Sequence, residues 1–411
     1  MFGKDKRIEG KMFLLCEEGS LEGIMNCLCN RFGVPNEGSG DTLTLKQDDI
    51  EIHIQVVTKD IGEEAGKFLD QQKNGIMGHF WNVPAKDVKE QTRKINVLHQ
   101  IRKTAGYCGV NYSFEKAHTD KKMLEITGML AGALEELHGL ILVMGDGEDM
   151  LLDARGKIVL SDKGRSKVDH FMPYVDRALI GAPKEGIAEE QIKRRLRSWK
   201  VLDAHDIYVP EHYPYIEKLA DARIRSAEEM VDRMAALLAV ALYSEAMLGD
   251  GMSPAEARAF AEEHVLSHYG GDGVFSPKEK AYFYNDNAED KEKVAFSWQY
   301  ENLYVMEWAL GLLKELPFPN AICDVPLTVR VLNPFADRAA LLSAVKPRSG
   351  EELLDACDLI FCLDWACVDA RVYGLPAPAG MDGGVTMERH KTLNWLIGCE
   401  GWEWDDVQTN T

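Results

Sequence analysis

Apolar and polar positions alternate along the first part of the chain, and after about residue 187 apolar positions recur every three to four residues. Lys11 to Cys16 predicts a strand, and Leu21 to Arg31 a helix entered from Ser20. Thr42 to Lys46 and Glu51 to Val57 predict two more strands. In the second, Ile52, Ile54 and Val56 share one face, while Glu51, His53 and Gln55 share the other. The order then returns: a strand near Tyr107 to Phe114, a helix from Asp120 to Leu137 stopped by Gly139, and strands at Leu140 to Met144, Met150 to Asp153 and Lys157 to Leu160. Gly145-Asp146-Gly147-Glu148 and Ala154-Arg155-Gly156 supply turns between these last three. A β-α-β-β unit occurring twice predicts a duplicated α+β domain.

From Ile187 onward helix follows helix. Four starts carry a serine with a glutamate three residues later, so that hydroxyl and carboxylate satisfy each other's orphan backbone donors: Ser226/Glu229, Ser253/Glu256, Ser276/Glu279 and Ser349/Glu352. Pro254 and Pro277 stand at first helical positions, where a missing N–H costs nothing. The fold class expected is therefore α+β: an N-terminal α+β domain over residues 1–165, a linker over 166–186, and an all-α domain over 187–411. Gly164, Gly181 and Pro183 mark the boundary.

Two of these helices carry acids where apolar side chains are expected. Asp290 to Glu315 reads as one helix whose stripe is Val294, Trp298, Glu301, Val305, Trp308 and Leu312. Glu301 thus lies between two tryptophans, and a buried lone carboxylate must either find a donor or hold its proton. Glu351 to Tyr373 is apolar nearly all round, yet one stripe holds Asp364 and Arg371, with Asp369 nearby. Asp364 and Arg371 are two turns apart, about 10 Å along the axis, so each needs a partner from elsewhere. The helix after Gly384 offers Glu388, Arg389 and Trp395. Two readings stay open: a buried ionic network that docks helices, or a tryptophan-walled polar cleft that grips a ligand. The end of the chain carries Trp402 and Trp404, whose large apolar area predicts a docked tail, with Asp405 and Asp406 accepting hydrogen bonds there.

Charge narrows the partners. The 47 Lys and Arg against 67 Asp and Glu leave a net charge of −20, which disfavours nucleic acid and anionic lipid and allows a basic partner. The nine cysteines are odd in number and mostly sit among apolar residues, as buried thiols in a reducing cytoplasm do. Cys357, Cys362 and Cys367 turn about 140° at each step on a helix and so cannot converge on a metal. Met12 to Cys16 is too short for a signal peptide core, and Met234 to Ser244 falls short of the ~20 residues a bilayer needs, so a soluble protein is expected. The chain lacks the phosphate-loop, dinucleotide, zinc-protease and serine-elbow motifs. Gly270-Gly271-Asp272-Gly273 reads as a turn, and His264 and His268, four apart, lack a third ligand. No metal and no cofactor are expected.

A series of short motifs carries a resemblance. Arg225-Ser226-Ala227-Glu228-Glu229, Phe296-Ser297-Trp298-Gln299-Tyr300-Glu301 and Trp308-Ala309-Leu310-Gly311 come first. Trp365-Ala366-Cys367-Val368-Asp369-Ala370-Arg371, Glu388-Arg389-His390, Leu393-Asn394-Trp395-Leu396 and Trp404-Asp405-Asp406-Val407 follow. In that order they resemble the bacterial domain-of-unknown-function family numbered 4272, over about residues 191–411. Asp364 departs from the histidine of that pattern, which argues against a catalytic base there, and Asn410 stands where the pattern has an acid. The resemblance implies a domain boundary and a clustering of motif residues, and no chemistry.

The function expected is a binding or interaction protein whose helical domain holds a cleft of Trp298, Glu301, Trp308, Asp369, Arg371, Glu388 and Arg389. Arginines would hold an anionic group, carboxylates orient the ligand, and tryptophans cover its apolar part. The partner is an unidentified small molecule or, on charge alone, a basic protein that an acidic antagonist neutralises. The alternative is a hydrolase using Glu301 or Glu388 as general acid or base.

Overall fold

A computed structural model of the chain describes residues 7–35, 40–145, 147–270 and 272–411, which divide after Val175 into two compact units. The turn residues Asp146 and Gly271 lie outside the described residues.

The first unit runs β1 (Arg7–Cys16), α1 (Leu21–Phe32), β2 (Thr42–Gln47), β3 (Ile50–Thr58), α2 (Glu63–Trp81) and α3 (Val88–Arg102). It continues with β4 (Gly106–Glu115), α4 (Thr119–Leu137), β5 (Leu140–Gly145), β6 (Glu148–Leu152) and β7 (Ile158–Ser161). Among the described residues the strands form one seven-stranded antiparallel sheet, ordered β2-β3-β4-β1-β5-β6-β7. The first strand of each repeated unit, β1 and β4, lie side by side at its centre, with Met12 opposite Val110. Their hairpins are exchanged: β2–β3 borders β4, and β5–β6 borders β1. Ser20 caps α1 by accepting from Gly23 N. Alternation sends Ile52, Ile54 and Val56 into a core shared with Leu28 of α1 and Leu134 of α4. On the opposite face Phe68 of α2 meets the Tyr107 ring edge-on at 5.9 Å. The hydrophobic pattern does not announce α2 and α3, because α2 buries only Leu69 and Phe80, and α3 buries Arg93, Lys94, His99 and Gln100 as well as apolar residues.

The second unit is helical. It comprises α5 (Arg177–Gly181), α6 (Glu189–Ala204), α7 (Ala227–Leu248), α8 (Pro254–Ala261), α9 (Ser267–Tyr269) and α10 (Pro277–Phe283). Then come α11 (Asp290–Ser297), α12 (Gln299–Ala309), α13 (Val325–Arg330), α14 (Arg338–Ala344), α15 (Gly350–Val372) and α16 (Gly383–Leu396). All four serine–glutamate boxes form, each hydroxyl accepting from the glutamate N–H and each glutamate from the serine N–H. The interior is built from α7, α12, α15 and α16, with Leu237, Leu303, Leu354 and Leu393 wholly buried. Arg195 of α6 is enclosed with Asp358 of α15, which accepts from it at 2.8–3.2 Å and from Ser198 Oγ at 2.6 Å.

Two expectations are corrected here. Asp290 to Glu315 is not one helix: α11 stops at Ser297, Trp298 takes φ −64° and ψ −11°, and α12 starts anew and ends at Ala309. The indole of Trp298 rests on Gly384, where an added Cβ would stand 3.0 Å from the ring. The break shifts the phase of the stripe, so Val294 is 47% exposed instead of sharing the apolar face. Arg371 is the second. It projects to solvent in the last turn of α15, because cover runs out where Val372 is already 72% exposed.

Cys357, Cys362 and Cys367 are buried, and all nine cysteines are free thiols. Nδ1 of His264 lies 2.9 Å from Phe260 O and Nδ1 of His268 3.0 Å from Ala336 O, so each ring is committed to a different carbonyl. In the tail, Trp404 is buried edge-on against Trp395, 5.9 Å between centroids. Asp405 accepts from Ser276 Oγ at 2.6 Å and Lys278 N at 2.8 Å, at the start of α10. No helix among the described residues is long and apolar enough to cross a membrane.

Candidate functional site

The site is organised by α16. Asp382 starts this helix by accepting from Gly384 N at 2.8 Å and Val385 N at 3.1 Å. The helix is then enclosed on several sides, and three consecutive residues reach three different partners. Glu388 accepts from Asn302 Nδ2 of α12 at 2.7 Å. Arg389 lies against Glu301 of the same helix, with Nε and Nη2 at 3.4 and 3.5 Å from Oε2, and its Nη1 donates to Pro317 O at 2.6 Å. His390 turns to α15, where its Nδ1 is 2.8 Å from Asp364 Oδ2. Successive residues on a helix point about 100° apart, so a helix packed between α12 and α15 can address both.

Burial makes these pairs matter. Glu301 and Arg389 are 2% and 1% exposed, and a lone charge at that depth is strongly unfavourable. The second oxygen of Glu301, Oε1, accepts from the backbone N–H of Cys323, so both carboxylate oxygens are engaged. Asn302 relays the network: it donates to Gln299 Oε1 at 3.1 Å and accepts from Thr392 Oγ1 at 2.6 Å. Burial pushes the Glu388 carboxyl above its ordinary range, while the bond from Asn302 pulls it back. Burial likewise lowers Lys391, whose Nζ sits 4.5 Å from the Trp404 ring centroid.

Of the seven residues nominated from sequence, Glu301, Glu388 and Arg389 meet between α12 and α16. Trp298 lines the cavity described next. Trp308 is buried under Arg348, whose guanidinium stands 4.5 Å from the indole centroid. Asp369 is half-buried on α15, and Arg371 is exposed. His390, the partner of Asp364, was not nominated; nothing local in the sequence marks a pairing across 26 residues. Glu307 was missed as well. It is wholly buried on α12, neither carboxylate oxygen has a hydrogen-bond partner among the described residues, and burial pushes its pKa up to about 10.

A cavity of about 440 Å³ opens over Glu301. Its walls are the end of α7 (Glu245, Leu248), the α11–α12 junction (Trp298, Tyr300) and the segment Ile322, Cys323 and Val325. Leu248 and Ile322 are 43% and 66% exposed, so the mouth is apolar and open to solvent. Glu245 at the rim accepts from the Tyr300 hydroxyl. Among the described residues two carboxylates and no lysine or arginine line this space. Burial and the charge on Glu301 push the Cys323 thiol up to about 12, so it is no thiolate nucleophile at neutral pH.

Fold and site together define a helical domain with a buried ionic hub beneath a ligand-sized cavity. The chain belongs to the family of the domain of unknown function (DUF4272), whose model matches residues 194–407. No curated protein and no solved structure matches it.

Proposed function

We propose that the helical unit is a ligand-binding module that takes a small molecule with an apolar body and a cationic end. The observation that carries this reading is the cavity over Glu301: its volume suits a small ligand, its walls are largely apolar, and its charged lining groups among the described residues are Glu245 and Glu301. The apolar part lies against Trp298, Leu248 and Ile322, and the cation faces Glu245 at the rim. The Glu301–Arg389 pair holds the floor in place rather than receiving the ligand, since both oxygens of Glu301 are committed. That commitment also weighs against Glu301 as a general acid or base, and Glu388 does not line this cavity. A basic protein segment is the other partner consistent with a net charge of −20, and the nine free thiols fit a reducing cytoplasm.

Phenethylamine and 3-phenylpropionate test the reading, because they share a ring and differ in the sign of the head group. The amine should raise the melting temperature of the protein and the carboxylate should not. Ile322→Lys, which places a like charge beside the cation in the apolar mouth, should abolish the shift. An equal shift with both compounds, or one that survives Ile322→Lys in a folded protein, refutes the proposal.

A further inference from the structure

A second cavity of the helical unit, about 410 Å³, is lined by His390 and Asn394 of α16, one turn apart. His390 is only 2% exposed, yet it forms part of this wall. Its Nδ1 is held by Asp364, itself 3% exposed, and the Phe361 ring packs against the imidazole at 5.6 Å between centroids. A carboxylate on Nδ1 keeps the proton there and leaves the lone pair on Nε2. Among the described residues none takes Nε2 in a hydrogen bond, and that nitrogen is not sealed from solvent. The arrangement is an oriented imidazole with its basic atom available at a cavity wall.

We propose that Asp364 and His390 make this cavity a hydrolytic site for an uncharged or cationic ester, with His390 as general base and then general acid, and Asp364 as its positioning residue. The attacking group is water. Among the described residues the one thiol in the wall, Cys399, is pushed up to about 12 by burial and by Glu217, and no serine or threonine lines the space. His390 Nε2 takes a proton from water as the water oxygen bonds to the ester carbonyl carbon. The bond from that carbon to the alcohol oxygen then breaks, and the leaving oxygen takes the proton back from the imidazolium. The products are a carboxylic acid and an alcohol, with no oxidant or further reactant. The substrate's charge follows from the rim: Glu217, Asp221 and Glu400 outnumber Lys218, which lies 3.3 Å from Asp221. Anionic esters are therefore repelled, and the faces of Tyr215 and Trp402 suit a flat group.

The test uses the full chain and p-nitrophenyl acetate, an uncharged aryl ester. The folded protein should release nitrophenolate faster than the same chain in denaturant, which controls for ordinary histidine reactivity. His390→Gln should lower kcat/KM by about 100-fold or more, the usual range for a general base. Asp364→Asn should lower kcat and leave KM nearly unchanged, a split that a purely architectural pair would not give. Asn410→Trp, at the exposed end of the lining, should block the cavity without touching the dyad, and it decides the matter if His390→Gln does not fold. Retention of the rate in folded His390→Gln or in Asn410→Trp overturns the proposal, as does a folded protein no faster than its denatured chain.

Discussion

Glu307 makes the stability of the helical unit depend on pH, by an amount set by the ordinary carboxylate pKa. Its carboxyl is wholly buried, lacks a hydrogen-bond partner among the described residues and is held up to about 10 by burial alone. Between an unfolded value of ~4.3 and that folded value, the folded state carries a proton that the unfolded state has lost. Stability from this group is therefore complete below the unfolded value and falls as pH rises through the window, by roughly 1.4 kcal/mol per pH unit. At pH 5 the cost is about 1 kcal/mol and at pH 8 about 5 kcal/mol, set by the distance from ~4.3 rather than by the upper limit. Glu307→Gln keeps the shape and the neutral polarity but removes the ionisation. The variant should match the wild type near pH 4 and exceed it increasingly at pH 5, 6.5 and 8, read from urea denaturation of each at matched m-values. A constant difference across that range, or none, would refute the assignment of a neutral buried acid and imply that Glu307 finds a partner or water.

Further predictions concern the ionic hub and the tail. Glu301→Ala leaves Arg389 buried without its partner and should cost about 3–5 kcal/mol, whereas Arg371→Met, on the exposed end of α15, should fall within about 0.5 kcal/mol of wild type in the same denaturation assay. A double variant Glu301→Met/Arg389→Met should be less destabilised than the sum of the two single changes, since it removes both charges together. Asp405→Ala removes the acceptor of Ser276 Oγ and Lys278 N and should cost roughly 1–2 kcal/mol, with faster amide exchange at the start of α10.

Local signals carried most of the architecture. The four serine–glutamate boxes are readable because both partners lie within one turn, and the alternation of β3 because Ile52, Ile54 and Val56 face one core. Non-local geometry was legible only in part. Glu301 and Arg389 were both nominated as charges on apolar helices, and burial of each explains why a partner was needed. The phase of the Trp298 stripe was lost to a one-residue break, where the indole packs on Gly384, far along the chain. Arg371 shares a stripe with Asp364, but periodicity says nothing about where a helix leaves its cover. Because α16 buries Val385, Arg389, His390, Leu393 and Leu396 in several directions, no single face stands out in its sequence, and His390 figures there in a motif but not as a site residue. The exchange of hairpins around β1 and β4 likewise rests on strand pairings to which the repeated order of elements is blind.

Isothermal titration of phenethylamine into the wild type and Glu245→Gln tests the binding role most directly. Glu245 is exposed at the cavity rim, so its loss should spare the fold while weakening the amine by about tenfold, equivalent to ~1.4 kcal/mol. Unchanged affinity in Glu245→Gln, or comparable binding of 3-phenylpropionate to the wild type, would contradict it.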